Sequence, residues 1–396
     1  MAGNDDKAHK QRSVLIHAGR PASGLPAPVN PPLVRASTYL HATAEEMRAT
    51  EQRRLGGARE DYYGRRGTGT SFQLEDLLTE LEGGHGTRLA SSGLAANTLV
   101  FLAFLRPGDH LLISDGVYAP VKRFVKSYLS DQQIAFDYVR ADGSDIEGRI
   151  RSNTKLIYLE NPGSVLFELA DIPAIAAIAK PKGIVVAVDS TWASGVTHHP
   201  IRLGADISVL SATKYLCGAS DVILGAAVAN ESAWKRLNET ADWLGTCASP
   251  DDCYQVLRGA RSAAIRIEEH RRQAMRLIEW FAGKPFVRKI YYPELEDHPR
   301  HEIWKRDFTG SCGLFTVEFR GVDAASVDRF VNSLSLFGLG SSWGGFESLV
   351  RVENERTIRS IDGENYGPLV RFHAGFEDIR DLIADLDAAA VMLGKY

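Results

Sequence analysis

The sequence predicts an α/β fold with a mainly parallel, doubly wound sheet, followed by a smaller α+β domain. Between residues 68 and 260, short apolar runs rich in β-branched residues alternate with stretches of helical periodicity, which indicates strands joined by helices. The 396 residues exceed the usual length of a single domain. Ligands of such sheets bind beyond the carboxyl ends of the strands, so the residues that follow each run are the candidates for chemistry.

Three segments are expected along the chain. Residues 1–67 form an N-terminal arm that is predicted to be irregular, because five prolines interrupt any regular element: Pro21, Pro26, Pro28, Pro31 and Pro32. Residues 68–260 form the ligand-binding α/β domain. Residues 261–396 form the C-terminal α+β domain.

The elements of both domains follow from the spacing of apolar residues. Helical spacing predicts helices over residues 71–81, 94–105 and 172–179, and Gly83 and Gly84 end the first of them. Strands are predicted for the apolar runs at residues 110–113, 156–159, 184–188, 207–210 and 222–228. In the C-terminal domain we expect helical stretches between residues 252 and 281, a strand at 313–319 and a closing helix at 376–392.

Composition argues against several classes of function. The net charge of −4 and the lack of a long basic run argue against a nucleic-acid partner. No apolar run approaches the roughly 18 residues that a membrane span needs, and residues 1–13 lack the apolar core of a signal peptide. The four cysteines contain no C-x-x-C pair and do not suggest a disulfide framework. A cytoplasmic protein is therefore expected.

Several short motifs match a known pattern only in part, because the accompanying motifs or the required spacing are missing. Residues 211–214 match the S-x-x-K motif of serine β-lactamases, but the accompanying S-D-N and K-T-G motifs do not occur. The glycines at 64, 67 and 69 do not form a G-x-G-x-x-G fingerprint, and the chain has no P-loop. The eleven histidines are scattered without ligand spacing, so no metal site is expected.

Two predicted strand ends carry the residues that point to chemistry. One run ends in Asp189, and another ends in Ser211 and leads to Lys214. An acid and a lysine at the ligand-binding edge of one sheet suit pyridoxal phosphate (PLP). The lysine amine can hold this cofactor as a Schiff base, and the carboxylate can keep its pyridine nitrogen protonated. Taken alone, Asp189 is equally a candidate helix cap and Lys214 a candidate surface charge.

Further residues favour the cofactor over that structural interpretation. Ser211 and Thr213 place hydroxyl groups beside Lys214, where they suit a phosphate. Residues 91–94 (SSGL) lie between a predicted strand and a helix, so the backbone N–H groups of Gly93 and Leu94 suit a phosphate as well. Tyr118 follows the run at 110–114 and is suited to stack on the pyridine ring.

Several motifs, in order, resemble the Cys/Met-metabolism family of fold-type-I PLP enzymes. They are residues 63–68 (YGRRGT), 81–84 (LEGG), 189–192 (DSTW) and 211–215 (SATKY). Within the family, three motifs are similar to the bacterial enzymes that cleave cystathionine by β-elimination: residues 159–164 (LENPGS), 304–311 (WKRDFTGS) and 342–349 (SWGGFESL). The γ-acting branch usually has a second Asn-Pro at the first of these and Ser-Leu-Gly-Gly at the last.

The resemblance implies a role for each matching residue. Lys214 would hold PLP and move protons, Asp189 would pair with the ring nitrogen, and Tyr118 would stack on the ring. The phosphate would be bound by Gly93, Leu94, Ser211 and Thr213, and by Tyr63 and Arg65 of a neighbouring subunit. Catalytic roles would thus fall to Lys214, Tyr118 and Tyr63. Arg371 would clamp the substrate α-carboxylate through its planar guanidinium, and Ser342 and Trp343 would line the substrate pocket.

Three positions depart from the family pattern. Ala219 stands where a histidine is usual, Arg123 where relatives can carry an acidic residue, and Ser341 where they can carry tyrosine. These changes concern the outer part of the pocket. They therefore bear on the distal group of the substrate and not on the cofactor.

The resemblance implies α,β-elimination of L-cystathionine to L-homocysteine, pyruvate and ammonia, a place in methionine biosynthesis, and a homo-oligomer. At least a dimer is expected, with a tetramer built as a dimer of dimers. The alternatives are a γ-acting relative, a β-lyase for other S-substituted cysteines, and a PLP-binding regulator without turnover. A regulator would normally add a DNA-binding region, and neither a basic patch nor a spare domain is evident.

Overall fold

The computed structural model describes residues 10–20, 28–353, 358–361 and 366–394. Its helices are α1 (Gln11–His17), α2 (Ala44–Leu55), α3 (Gly69–Glu82), α4 (Gly93–Phe104), α5 (Ala119–Phe124), α6 (Ile146–Arg149), α7 (Ile172–Ala179), α8 (Glu231–Leu244), α9 (Pro250–Ala260), α10 (Ala263–Phe281), α11 (His301–Asp307), α12 (Ala324–Ser333) and α13 (Ile379–Ala390). Its strands are β1 (Gly86–Ala90), β2 (His110–Ser114), β3 (Ala135–Val139), β4 (Thr154–Glu160), β5 (Val185–Asp189), β6 (Ile207–Ser211), β7 (Gly225–Ala229), β8 (Val287–Tyr291), β9 (Leu314–Phe319), β10 (Gly338–Leu339), β11 (Leu349–Glu353) and β12 (Leu369–His373).

A seven-stranded sheet forms the centre of the large domain, in the order β1-β7-β6-β5-β4-β2-β3. The pairs β2–β3, β2–β4, β4–β5 and β5–β6 are parallel, whereas β7 runs antiparallel to both of its neighbours. Alternate residues of β2 belong to different apolar clusters: Leu111 and Ile113 pack with α4, and Leu112 packs with α7. Burial of both faces explains the unbroken apolar runs. The predicted α/β class with a mainly parallel sheet is confirmed.

The C-terminal domain contains a five-stranded sheet in the order β10-β11-β12-β9-β8. The pairs β11–β12, β12–β9 and β9–β8 are antiparallel, and the short β10 runs parallel to β11. The strand predicted at 313–319 is β9. It does not alternate in burial, because it is an interior strand and all six of its residues are buried. The predicted closing helix is α13.

Three predicted elements differ from the structure in informative ways. The run at 222–228 is a strand only in its second half, because the Thr213 hydroxyl bonds both the N–H and the C=O of Leu224 and holds the first half as a loop. The strands β1 and β3 do not stand out as apolar runs. The former contains Gly86 and Arg88, and the latter is an edge strand with a partly exposed, mixed sequence.

The prediction of an irregular N-terminal arm is wrong for two stretches. Helix α1 buries Val14 and Leu15 in the main apolar core, and Arg261 donates hydrogen bonds to the carbonyl oxygens of Leu15 and Ala18 at 2.7 and 2.9 Å. Helix α2 is mostly exposed and begins at a Thr43 cap. Pro21 and Pro26 lie outside the described residues. The limits at 67/68 and 260/261 stay predictions, although the second coincides with the end of α9.

The remaining expectations concern cysteines and membranes. The four cysteines are free, three of them buried and Cys247 exposed. In the described part of the chain, no helix combines the length and apolar character that crossing a membrane requires.

Glu82, the last residue of α3, is a fully buried carboxyl group. Burial, partly offset by Ser208 and Arg202, raises the pKa of Glu82 from 4.5 to about 8. The folded protein therefore holds this proton more tightly than the unfolded chain does. The contribution of Glu82 to stability is complete below pH 4.5 and is lost as the pH rises through about 8.

We predict that Glu82→Gln, which stays neutral at every pH, removes this loss. The difference between the unfolding temperature of the variant and that of the wild type should increase by roughly 2 °C or more from pH 5 to pH 9, in favour of the variant. Scanning fluorimetry or calorimetry at several pH values measures the difference. Glu80→Gln, an exposed change on the same helix, is the control. A difference that is constant with pH would contradict a buried titrating group.

Candidate active site

A cavity of about 750 Å³ lies where the carboxyl edge of the large sheet faces the C-terminal domain. The residues that follow the strands β1, β2, β5 and β6 line one side, and residues 340–343 and Arg371 line the other. This is the edge at which the sequence predicts a ligand. The cavity brings together the following predicted residues: Gly93, Leu94, Tyr118, Asp189, Ser211, Thr213, Lys214, Ser341, Ser342, Trp343 and Arg371.

Asp189 ends β5 and is a buried acidic group of the cavity. Its carboxylate accepts hydrogen bonds from the backbone and hydroxyl of Thr191, at 3.0 and 2.5 Å, and from Asn97 Nδ2 at 3.2 Å. Asn97 in turn accepts from the hydroxyl of Tyr158. Burial raises the pKa of Asp189, while these hydrogen bonds and the charge of Lys214 oppose the rise. A cationic partner would complete the stabilisation of this carboxylate.

Lys214 lies three residues beyond the end of β6 and turns into the cavity. Its Nζ donates to Ser342 Oγ at 2.7 Å and lies 5.2 Å from the centre of the Trp343 ring. Burial, with the nearby charge of Arg371, lowers the pKa of Lys214 to about 8. About a tenth of this amine is therefore neutral at pH 7, far more than for an ordinary lysine, and the neutral amine is the state that a nucleophile or a base requires.

The N-terminus of α4 closes one end of the cavity. Ser92 caps this helix by accepting from the N–H of Ala95, and Ser92, Gly93 and Leu94 line that end of the cavity. A Cβ on Gly93 would lie 2.7 Å from Cβ of Ser211, so glycine lets the helix start approach β6. Backbone N–H groups at a helix N-terminus bind anions well. The Thr213 hydroxyl beside them already bonds the backbone of Leu224.

Tyr118 stands at the mouth of the cavity, directly before α5. Its backbone N–H donates to Glu160 Oε2 at 2.6 Å, and its side chain is half exposed. Glu160 ends β4 and has a pKa well above its usual value, because the carboxyl is buried and lies near Asp189. The Tyr118 backbone is thus tied to the sheet edge while the ring stays free to cover a ligand.

Arg371 supplies a buried cation on the C-terminal side. It lies on β12, its Nη2 donates to the carbonyl of Ser341 at 3.2 Å, and its Nη1 lies 3.6 Å from Oε1 of Glu353. Burial lowers the pKa of Arg371, with Glu353 opposing that shift. A guanidinium fixed in this way can bind a carboxylate through two parallel hydrogen bonds.

Comparison with known proteins decides the family. The family of Cys/Met metabolism PLP-dependent enzymes matches residues 12–391. The chain belongs to this family. It is 41% identical over 393 residues to a cystathionine beta-lyase from Bordetella avium, which covers 98% of each chain. The crystal structure of metB from Corynebacterium glutamicum has a TM-score of 0.88 at 29% identity and covers 98% of this chain and 99% of the other. A cystathionine gamma-lyase from Lactobacillus plantarum, complexed with L-serine, has a TM-score of 0.87 at 29% identity over 97% and 99%.

The residues of the cavity fit PLP, the cofactor of this family. The amine of Lys214 is buried and has a lowered pKa, as covalent attachment of an aldehyde requires. Asp189 has a raised pKa, and a protonated pyridine nitrogen would provide its missing cationic partner. The helix start at Gly93 lies closer to Ser211 than any side chain at this position would permit, and its backbone suits a phosphate. Lys214 is thus suited to the aldehyde of PLP, Asp189 to its ring nitrogen and Gly93 to its phosphate.

Not every predicted site residue lies in the cavity. Arg65 lies in the single helical turn Gly64–Arg66, Tyr63 directly precedes this turn, and neither residue lines the cavity. The guanidinium of Arg65 lies 5.7 Å from the ring centre of Tyr63, which is partly exposed. Arg123 and Ala219 are exposed and also lie outside the lining, whereas Ser341 belongs to it. One subunit therefore brings together the cofactor residues of the sheet edge but not those of the arm.

Sequence reasoning gave no role to the residues that hold Asp189 and Arg371. Asn97 lies one turn inside α4 and is buried, and a buried amide on an apolar helix was the available signal. Thr191 follows Asp189 within the DSTW motif, yet its contact became visible only in the structure. Glu353 pairs with Arg371 across neighbouring strands. Asn97 and Glu353 thus support the site from elements other than those that carry Asp189 and Arg371.

We predict that Lys214→Ala abolishes both turnover and the visible absorption of the covalently bound cofactor, because among the described residues no other lysine lines the cavity. Absorption spectra after dialysis and a turnover assay measure the two effects. Lys126→Ala, an exposed lysine on the same domain, is the control and should behave as the wild type. Normal turnover by the Lys214 variant would contradict the assignment of Lys214 as the residue that binds the cofactor covalently.

Proposed function

We propose that this protein is a carbon–sulfur lyase that converts L-cystathionine and water to L-homocysteine, pyruvate and ammonia by α,β-elimination. The observation that carries the proposal is the contact of Lys214 with Ser342 and Trp343 in one cavity with Arg371. The similarity to the Bordetella avium enzyme over nearly the whole chain supports the same reaction.

The residues of the cavity can carry out the first steps. The guanidinium of Arg371 binds the α-carboxylate of the amino acid and thereby orients the α-carbon. Lys214, whose amine is partly neutral near neutral pH, removes the α-proton. Bound PLP supplies a sink for the electron pair that this proton leaves behind. Asp189 keeps a negative charge at the far end of the cavity, and Tyr118 covers the mouth.

The choice between β- and γ-elimination depends on Trp343. In β-elimination the thiolate leaves from the carbon next to the α-carbon, so a single proton removal suffices. A γ-elimination needs a second proton removed at the β-carbon, and the substrate must have room to present it. Trp343 packs against the ring of Tyr215 at 5.4 Å and stands beside Lys214 Nζ, which restricts that room. The cavity therefore favours β-elimination.

A homo-oligomer with shared sites is part of the proposal. Tyr63 and Arg65 do not reach the cavity of their own chain, although the family resemblance gives them a role at the phosphate. They lie on a partly exposed turn from which they can serve a second copy. A tetramer, a cytoplasmic location and a place in methionine biosynthesis stay predictions.

We predict that the shared site shows in complementation. Arg65→Ala and Lys214→Ala, each with little activity, should together regain about a quarter of wild-type activity after subunit exchange, because half of the dimers are mixed and half of their sites are intact. Activity is measured before and after denaturation and refolding of the mixture. Tyr63→Ala mixed with Arg65→Ala is the matched control and should regain nothing, because every site in that mixture lacks one of the two side chains that the arm would supply. A fully active monomer would refute the shared site.

We predict that the wild-type enzyme releases pyruvate and homocysteine from cystathionine, with 2-oxobutyrate and cysteine as minor products. Trp343→Leu, which removes the bulky ring, should raise the 2-oxobutyrate share by about tenfold. Chromatography of the 2-oxo acids separates the two products. Trp280→Leu, which lies outside the cavity lining, controls for the loss of a tryptophan. Mainly 2-oxobutyrate from the wild type would overturn β-elimination but leave the PLP assignment intact.

A further inference from the structure

The loop that carries Trp343 is held by a segment of the C-terminal domain. Residues 373–377, which end β12 and follow it, bind residues 344–348 through several hydrogen bonds. The N–H of Gly344 donates to Nε2 of His373 at 3.0 Å, and Nδ1 of His373 lies 3.2 Å from the carbonyl oxygen of Glu347. Further along, the N–H of Phe376 donates to the carbonyl of Phe346 at 2.8 Å. His373 therefore binds both ends of the Gly344–Glu347 stretch.

This loop lies directly against the main chain of Lys214. Gly344 has a φ of +89°, and a Cβ built on it would lie 2.9 Å from the nitrogen of Tyr215 and 3.1 Å from Cα of Lys214. Glycine thus permits a backbone approach that no other residue would permit. The two residues before it, Ser342 and Trp343, contact the Lys214 amine. A shift of Gly344 would carry both side chains away from that amine.

The backbone partners of His373 fix its protonation state. A backbone N–H can only donate, so Nε2 must carry a lone pair where it meets Gly344. A carbonyl oxygen can only accept, so Nδ1 must carry the proton where it meets Glu347. The two contacts together require the neutral imidazole with its proton on Nδ1. A second proton on Nε2 would set two N–H groups against each other and break the bond to Gly344.

The surroundings of His373 favour the same neutral state. The ring is buried, with the rings of His270 and Tyr215 at 4.9 and 5.9 Å between centres. Burial, together with the nearby His270 and the charges of Arg371 and Lys214, lowers the pKa of His373 well below its usual value. These surroundings therefore favour the neutral ring that the hydrogen bond to Gly344 requires.

We propose that His373 is a positioning residue whose Nε2 holds Gly344, and through it Ser342 and Trp343, against Lys214. The inference rests on the proposed function in one respect, namely that Ser342 and Trp343 face the substrate. The hydrogen bond itself is independent of the substrate. Through this bond, His373 positions Ser342 and Trp343 beside Lys214 without touching substrate or cofactor itself.

Two substitutions separate the two nitrogens of the ring. The oxygen of a glutamine side chain can replace Nε2 as acceptor, so His373→Gln retains the bond to Gly344. The amide nitrogen of an asparagine can replace Nδ1 as donor, so His373→Asn retains the bond to Glu347 alone. Both variants lose the ring contacts with Tyr215 and His270 alike. Their difference therefore isolates the acceptor, and a role in packing alone would affect both similarly.

The first readout is hydrogen exchange of the Gly344 amide in the holoenzyme without substrate, followed by mass spectrometry of peptides that begin before and after this residue. We expect strong protection in the wild type, retained protection in His373→Gln, and about tenfold faster exchange in His373→Asn. Ser348→Ala removes the hydroxyl's bonds to Gly375 and Glu377 at the other end of the loop, keeps the backbone N–H bond to Glu377, and should leave Gly344 protected.

The second readout is turnover. His373→Asn should lower kcat/KM for cystathionine by about tenfold, whereas His373→Gln should stay within about threefold of the wild type. Equal behaviour of the two variants in exchange and turnover would overturn the proposal, as would an unprotected Gly344 in the wild type, a result that needs no variant to fold. If cystathionine proves not to be the substrate, the exchange of Gly344 still decides the role of His373.

Discussion

The parallel pairing of β5 with β6 is the constraint on which the cavity depends. Asp189 pairs with Val209 in this register, so the last residue of β5 and the end of β6 reach the same edge of the sheet. The N–H of Ser211 then donates to the Thr191 hydroxyl, and that hydroxyl donates to Asp189. A slip of the register would separate the acid from the turn that presents Lys214, and no adjustment of side chains could restore the pair.

Electrostatics explains why these groups belong to one site and not to a well-packed core. Burial lowers the pKa of Lys214 and Arg371 and raises that of Asp189 and Glu160, so each charged form is destabilised where it stands. Such a set costs stability in the protein alone. A ligand with a protonated ring nitrogen and an aldehyde, together with a substrate that carries a carboxylate, would offset that cost at Asp189, Lys214 and Arg371. The cofactor and the substrate thus complete an arrangement that the fold leaves electrostatically unbalanced.

The sequence was sufficient where chemistry follows a strand directly. Asp189, Lys214 and Gly93 could be predicted because a parallel sheet gathers its carboxyl ends at one edge, whatever the length of the connections. Asn97 and Glu353 could not, because their contacts join elements distant in sequence and depend on the angle of packing. Helix α1 was missed for a related reason: its burial of Val14 and Leu15 requires α3 and the core to be in place. The sequence of a half-exposed edge strand such as β3 carries little apolar signal at all.

The two domains supply different parts of the site, and this separation bears on how members of the family can differ in reaction. The groups suited to the cofactor lie on the large sheet, whereas Ser342, Trp343 and Arg371 come from the C-terminal domain. The fold is shared with a cystathionine gamma-lyase at a TM-score of 0.87, so the frame does not distinguish the two reactions. The loop at residues 340–347 can change its side chains without disturbing Asp189 or the helix start at Gly93, because its contacts with the large domain fall on Lys214, Tyr215 and Ser220. Under the proposed function, this loop is therefore where the reaction site on the substrate can change while the groups suited to the cofactor stay in place.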